Sequence, residues 1–289
     1  LIQQNGKRRS VLFELLRRIP FVRRPFVQRD EALHLRDEAL HLRDTALAER
    51  DVAVPERDAA RAALRQQTEK LSYDADGMKL WEKNLAALRA PRFRDAYTRS
   101  ASPDVPIDFR AYICCWAAGR AARLDGDFVE CGVNRGWLSL TICNYLDFNS
   151  IGKSFYLFDT YDGIPPEQIT ERERERAALH QYSDCYESTK QAFAPFPGAV
   201  LVRGRIPDSL QSVTIDRVAY LSIDMNIALP ERAAIEFFWP KLSPGAVVVL
   251  DDYAFGGYEA QHETMDEFAS QHGVEILTLP TGQGLLIKH

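Results

Sequence analysis

Short apolar runs alternate with helical stretches from about residue 128 to the last residue, and this alternation constrains the chain more than any other feature. Strands are predicted at 128–133, 155–159, 200–203, 218–224 and 246–251. Strands linked through helices run parallel, because the crossover returns the chain to the same end of the sheet. The end of the sequence breaks that pattern. Residues 275–279 and 285–288 flank Thr281-Gly282-Gln283-Gly284, a link too short for a crossover, so these two strands are antiparallel. The expected fold is α/β, a mostly parallel seven-stranded sheet with a terminal antiparallel hairpin, spanning 91–289. A dinucleotide dehydrogenase, whose strands are all crossover-linked, does not fit that ending.

The preceding residues follow another rule. Arg-Asp recurs every seven residues from Arg29-Asp30 to Arg57-Asp58, with Ala32, Ala39, Ala46 and Ala53 in step and Leu33, Leu40, Leu47 and Val54 beside them. That period belongs to a helix with a coiled-coil-like seam. The seam is alanine-rich and thin, and Pro55 interrupts it. The helical pattern resumes through Leu64, Leu71, Leu80, Leu85 and Leu88, so 28–90 is expected to be a helical spacer or homo-oligomerisation arm. His34 and His41 are repeat positions rather than metal ligands. Residues 1–27 form a basic amphipathic arm: they mix Arg pairs with Val11, Phe13, Phe21 and Phe26, while Pro20 and Pro25 prevent one long helix. Such an arm either lies on an anionic membrane surface, as a peripheral contact on the inner face, or packs on protein.

Composition narrows the partners. Before Asp30 there are eight Lys or Arg residues against Glu14 alone, yet the whole chain carries −5, so the body is acidic and a poor nucleic-acid binder. The five cysteines are an odd count, form no CxxC pair and have apolar neighbours, as expected of reduced thiols in a cytoplasmic protein. The apolar run at 11–16 contains Glu14 and is followed by Arg17-Arg18, unlike a signal peptide, and no run of about twenty apolar residues exists to span a bilayer. Leu1 is not an initiator Met, so residues are expected to precede it.

Three motifs carry chemistry. Residues 127–136 read as a strand, a tight turn and a helix start. Gly132 would let backbone approach a ligand, Gly136 would let the helix start pack beneath, and Asn134 tolerates the left-handed conformation nearly as well as Gly. Glu130 could accept bonds from loop amides or from a ligand ammonium. Asp159 ends the next strand, 23 residues past Gly136, where an acid accepts both ribose hydroxyls or serves as a loop or capping acid. Asp224, Asp251 and Asp252 end two further strands, where open α/β sheets bind ligands. Three such carboxylates would suit Mg²⁺, unless Asp251 merely caps a turn and Asp252 is solvated.

Residues 106–289 resemble the macrocin-type sugar O-methyltransferases of macrolide and aminocoumarin antibiotic pathways. The matching stretches are FVECGVNRG at 128–136, YLFDTYDGIP at 156–165, RGRIPDSL at 203–210 and WPKLSPGAVVVLDDY at 239–253. The resemblance implies a class I methyltransferase sheet, S-adenosylmethionine held by Glu130, Gly132, Gly136 and Asp159 with Asn134 in the same loop, and Mg²⁺ held by Asp224, Asp251 and Asp252. Asp224 would be the catalytic carboxylate and the acceptor a small molecule or glycan. The family usually reads Asp-Gly-Asp where this chain has Asp224-Met225-Asn226, and an amide cannot take a proton as the second Asp would. The sequence therefore supports two functions: a Mg-assisted O-methyltransferase, or a catalytically degenerate cofactor-binding scaffold assembled through the helical arm.

Overall fold

The computed structural model describes residues 26–69, 73–102 and 105–289, and the chain divides into two units, Leu1–Lys70 and Leu71–His289. In the first unit the seven-residue pattern forms one 44-residue helix, α1 (Phe26–Glu69), which carries Pro55 inside it. Leu35, Leu40, Leu42 and Leu47 are exposed along it. The adjacent Arg36–Asp37, Arg43–Asp44 and Arg57–Asp58 ion pairs are exposed too and contribute little to stability. Of the expected arm at 1–27, all but Phe26 and Val27 lies outside the described residues.

The second unit begins where a continuing helix is expected and has a β-hairpin instead. Strands β1 (Tyr73–Ala75) and β2 (Met78–Leu80) pair antiparallel. Asp76 and Gly77 join them with φ of 53° and 70°, the Asp-Gly turn whose twist matches a two-residue hairpin. Tyr73, Met78, Leu85 and Leu88 are buried in the same cluster as Phe93 and Phe128. The expected boundary at 90/91 therefore moves to 70/71, because the hairpin turn interrupts the helical leucine pattern and these side chains belong to the core.

Helices α2 (Pro91–Ser100) and α3 (Asp108–Ala121) follow, then β3 (Asp127–Cys131), α4 (Trp137–Leu146), β4 (Phe155–Asp159), α5 (Tyr186–Phe193) and β5 (Ala199–Arg203). Next come β6 (Val218–Ile223), α6 (Ala228–Phe238), β7 (Leu242–Leu250), α7 (Glu259–His272), β8 (Leu277–Thr278) and β9 (Gly284–Ile287). The seven-stranded sheet has the order β5-β4-β3-β6-β7-β9-β8, parallel from β5 to β7, with β9 antiparallel to both β7 and β8. This is the sheet expected from the alternation and its terminal hairpin.

Each face of the sheet has its own core. On one, α3 packs through Ala111, Cys114, Cys115, Ala117, Ala118 and Ala121, whose small volumes let it lie close to the strands. On the other, Ala234, Ile235 and Phe238 of α6 meet Met265 and Phe268 of α7. Every residue of β6 is buried, as expected of a central parallel strand covered on both faces. All five cysteines are buried free thiols. Among the described residues no helix is long and apolar enough to cross a membrane.

A chain cut to 71–289 is expected to unfold in one cooperative transition. A chain cut to 91–289 loses four buried side chains, each worth roughly 1.5–3 kcal/mol, and should melt at least about 5 °C lower by calorimetry. Equal melting temperatures would detach the hairpin from the core.

Candidate active site at the strand ends

The carboxyl ends of the two central strands nearly touch. Cys131 accepts a hydrogen bond from the Asp224 amide at 2.8 Å, and Gly132 follows with φ of 90°. A Cβ on Gly132 would lie 1.8 Å from the Asp224 carbonyl oxygen. Glycine is required here to admit the backbone of the neighbouring strand end, a packing reason that the sequence does not show. Asn134 has φ of 49°, the left-handed conformation expected of it. Gly136 has φ of 75°, and a Cβ there would lie 2.4 Å from the Phe193 ring, so it makes room for α5. The Asn134 carbonyl accepts bonds from the Thr189 hydroxyl at 3.0 Å and the Cys185 thiol at 3.4 Å, which tie the turn to α5.

Asp159 organises this turn. Its Oδ2 accepts the Val133 and Asn134 amides at 2.6 and 2.7 Å, and its Oδ1 accepts the Tyr161 amide at 2.6 Å. The carboxylate holds two strand-end loops together. Glu130 lies below them, 2% exposed, with no partner for its Oε2. Burial pushes its carboxyl up to about 8. Gly132, Asn134, Asp159, Tyr161, Asp224 and Asn226 line one cleft at these strand ends.

The acidic residues are engaged unevenly. Asp251 is 1% exposed and both its oxygens are committed. Arg110 Nη1 donates to Oδ2 at 2.5 Å, and Gln283 Nε2 donates to Oδ1 at 2.8 Å. Arg110 is itself held by Asp76, through Nε at 2.7 Å and Nη2 at 3.0 Å. Asp224 is partly buried, and burial together with Asp251 and Asp252 pushes its carboxyl well up. Burial and Asp251 push Asp252 up to about 7. Among the described residues no group of three His, Cys, Asp or Glu side chains is arranged to hold a metal ion. The donor set does not fit the expected Mg²⁺ site, because Asp251 has no oxygen to give without losing Arg110 or Gln283.

Asn226 is held in place on both sides. Its Nδ2 donates to Asp224 Oδ1 at 3.4 Å, and its Oδ1 accepts the Tyr258 hydroxyl at 2.8 Å. His180 Nε2 lies 2.8 Å from the same hydroxyl. Of the residues singled out in the sequence, Gly132, Asn134, Asp159 and Asp224 share the cleft, while Glu130, Gly136, Asp251 and Asp252 are not in its lining. Sequence reading missed Asp76, Arg110, Tyr258, His180 and Gln283. Only Asp76 had a local signal, the Asp-Gly turn between apolar residues.

Glu130 gives a pH test. A carboxyl raised on folding binds its proton more tightly folded than unfolded, so its contribution is full below its ordinary value of 4.5 and is lost as pH rises through about 8. Glu130→Gln removes that loss. The melting temperature of the variant relative to the parent should therefore rise between about pH 5 and about pH 8, and a constant difference would mean Glu130 is not held protonated.

The fold agrees with comparisons against known proteins. The family model described as Macrocin-O-methyltransferase (TylF) matches residues 113–278. The 8-demethyl-8-(2,3-dimethoxy-alpha-L-rhamnosyl)-tetracenomycin-C 4'-O-methyltransferase of Streptomyces olivaceus is 24% identical over 175 residues, covering 57% of this chain and 66% of its own length. The mycinamicin III 3''-O-methyltransferase of Micromonospora griseorubida is 23% identical over 163 residues, covering 52% of this chain and 62% of its own. The chain thus spans just under two thirds of each of these relatives. The solved structure of the O-methyltransferase NovP superposes with a TM-score of 0.53 at 21% identity, over 62% of this chain and 79% of that one. CalS11, a calicheamicin methyltransferase, gives 0.51 at 18% identity, over 70% and 91%. These two likenesses establish the fold, and the family match, over more than half of the sequence, establishes that the chain belongs to the macrocin O-methyltransferase family.

Proposed function

We propose that this chain transfers the methyl group of S-adenosylmethionine to a hydroxyl of a sugar or of a glycosylated small molecule. The observation that carries the reading is the cleft where Gly132, Asn134, Asp159 and Asp224 meet. The curated relatives, named as 4'- and 3''-O-methyltransferases of a rhamnosyl-tetracenomycin and a mycinamicin, support a sugar hydroxyl as acceptor.

The residues suit the cofactor. Glu130 Oε2 is buried without a partner, so an ammonium brought near it would be welcome and would draw its proton off. Asp159 already gathers three N–H donors and fixes the loop against which an adenosyl group would lie. When bound, S-adenosylmethionine supplies an electrophilic methyl on a sulfonium. The chain's task is then mainly positioning, holding acceptor oxygen and methyl carbon in line. Asp224 is the carboxylate that takes the hydroxyl proton, steered by the Asn226 amide on its Oδ1. Asp251, committed to Arg110 and Gln283, has no oxygen to offer a magnesium ion in this transfer.

The exposed leucines of α1 suit self-association, which belongs to the same reading. The full chain is expected to sediment as an oligomer and residues 71–289 as a monomer; a monomeric full chain would leave α1 a spacer only.

Isotope-labelled S-adenosylmethionine offered with a panel of deoxysugar and glycoside acceptors, followed by mass spectrometry, tests the transfer. Cofactor binding by calorimetry with no methylated product would favour the scaffold reading, to which Asn226 points. Asn226→Asp separates the roles further. If the amide is only a lost base, the variant should gain roughly 10²–10⁴-fold. We expect instead a loss of rate, because the new carboxylate would face Asp224 and give up the bond that steers it.

A further inference from the structure

Arg110 sits where the acidic strand ends would call for a counter-charge. Its side chain is 17% exposed, and its ion-pair partners Asp76 and Asp251 are 8% and 1% exposed. The guanidinium uses its fork completely along one edge, with Nε and Nη2 both on Asp76, and turns Nη1 to Asp251. It also lies over the Phe255 ring, 5.7 Å from its centroid. Gln283 takes the remaining Asp251 oxygen. A divalent ion at Asp251 would therefore have to displace a charge-assisted bond and strand either a buried guanidinium or a buried amide.

We propose that Arg110 is the resident cation of this acidic wall, positioned by Asp76 on the β1–β2 turn, and that it takes the place of a divalent metal there. The proposal rests on the methyl-transfer reading for its meaning but not for its test. Arg110 is a positioning residue: it balances Asp251 through Nη1 and leaves Asp224 to face the cleft. Because Asp76 arrives from the hairpin, the N-terminal edge of the compact unit holds the charge balance of the site.

Manganese serves as the probe, read by the loss of its free electron paramagnetic resonance signal on binding, with no turnover required. Wild-type protein should leave manganese free through the submillimolar range. Arg110→Gln, which keeps the polar contact and removes the charge, should bind manganese at least about tenfold more tightly than wild type, since a unit charge removed at these separations is worth more than that. Its melting temperature should then rise with added Mg²⁺, whereas that of wild type should not. Arg110→Lys should stay metal-blind. Stoichiometric manganese uptake by wild type, unchanged in Arg110→Gln, overturns the proposal. If Arg110→Gln does not fold, the wild-type titration decides alone: no uptake supports the proposal and uptake overturns it. Where methyl transfer is also observed, it should persist in EDTA. If no transfer is found, the functional reading fails while the manganese result still stands.

Discussion

The site depends on how closely β3 and β6 approach at their carboxyl ends. A side chain at Gly132 would occupy the space of the Asp224 carbonyl. Only glycine, at a φ of 90°, lets Cys131 pair with the Asp224 amide while the chain turns away toward Asn134. That contact brings the loop after β3 and the acid after β6 to the same cleft. Any larger residue would force the strands apart and separate the proposed cofactor loop from the proposed base.

Around that contact the loops are fixed by carboxylates acting on backbone N–H groups. Asp159 collects three amides and so spans the turns after β3 and β4. Glu231 plays a similar part beneath β6, accepting the Met225 amide at 3.1 Å while burial pushes it up to about 8. Such bonds preorganise a cleft before any ligand arrives, so less ordering remains to be done on binding. The acidic wall is balanced differently, by one arginine drawn in from α3. A buried pair of this kind is costly to break, because the partner left behind is an uncompensated charge.

Asn226 shows how a local departure is absorbed. It occupies a left-handed position with φ of 63°, 9% exposed, bonded to Asp224 on one side and Tyr258 on the other. Its amide can donate to the carboxylate beside it, which a second carboxylate could not do. The position therefore reads as a steering contact in this chain, with Tyr258 and His180 behind it.

The alternation of apolar runs with helices, and the short Thr281–Gly284 link, were enough to determine the sheet and its antiparallel end, because burial period and loop length are local properties. The seven-residue repeat likewise determined α1. That Gly132, Asn134, Asp159 and Asp224 share one cleft was legible because each sits at a strand end, where open α/β sheets form clefts. The hairpin at 73–80 was written in Asp76-Gly77 but masked by leucines at helical spacing. What only the tertiary structure decided was the company these residues keep: that Gly132 admits the Asp224 backbone, that Asp159 faces amides, and that Asp251 faces Arg110. Arg110 and its partners lie 34 and 141 residues apart in the chain. No periodicity carries information over such distances, and the pairing exists only because the crossovers bring a hairpin, a helix and a strand end to one corner of the sheet.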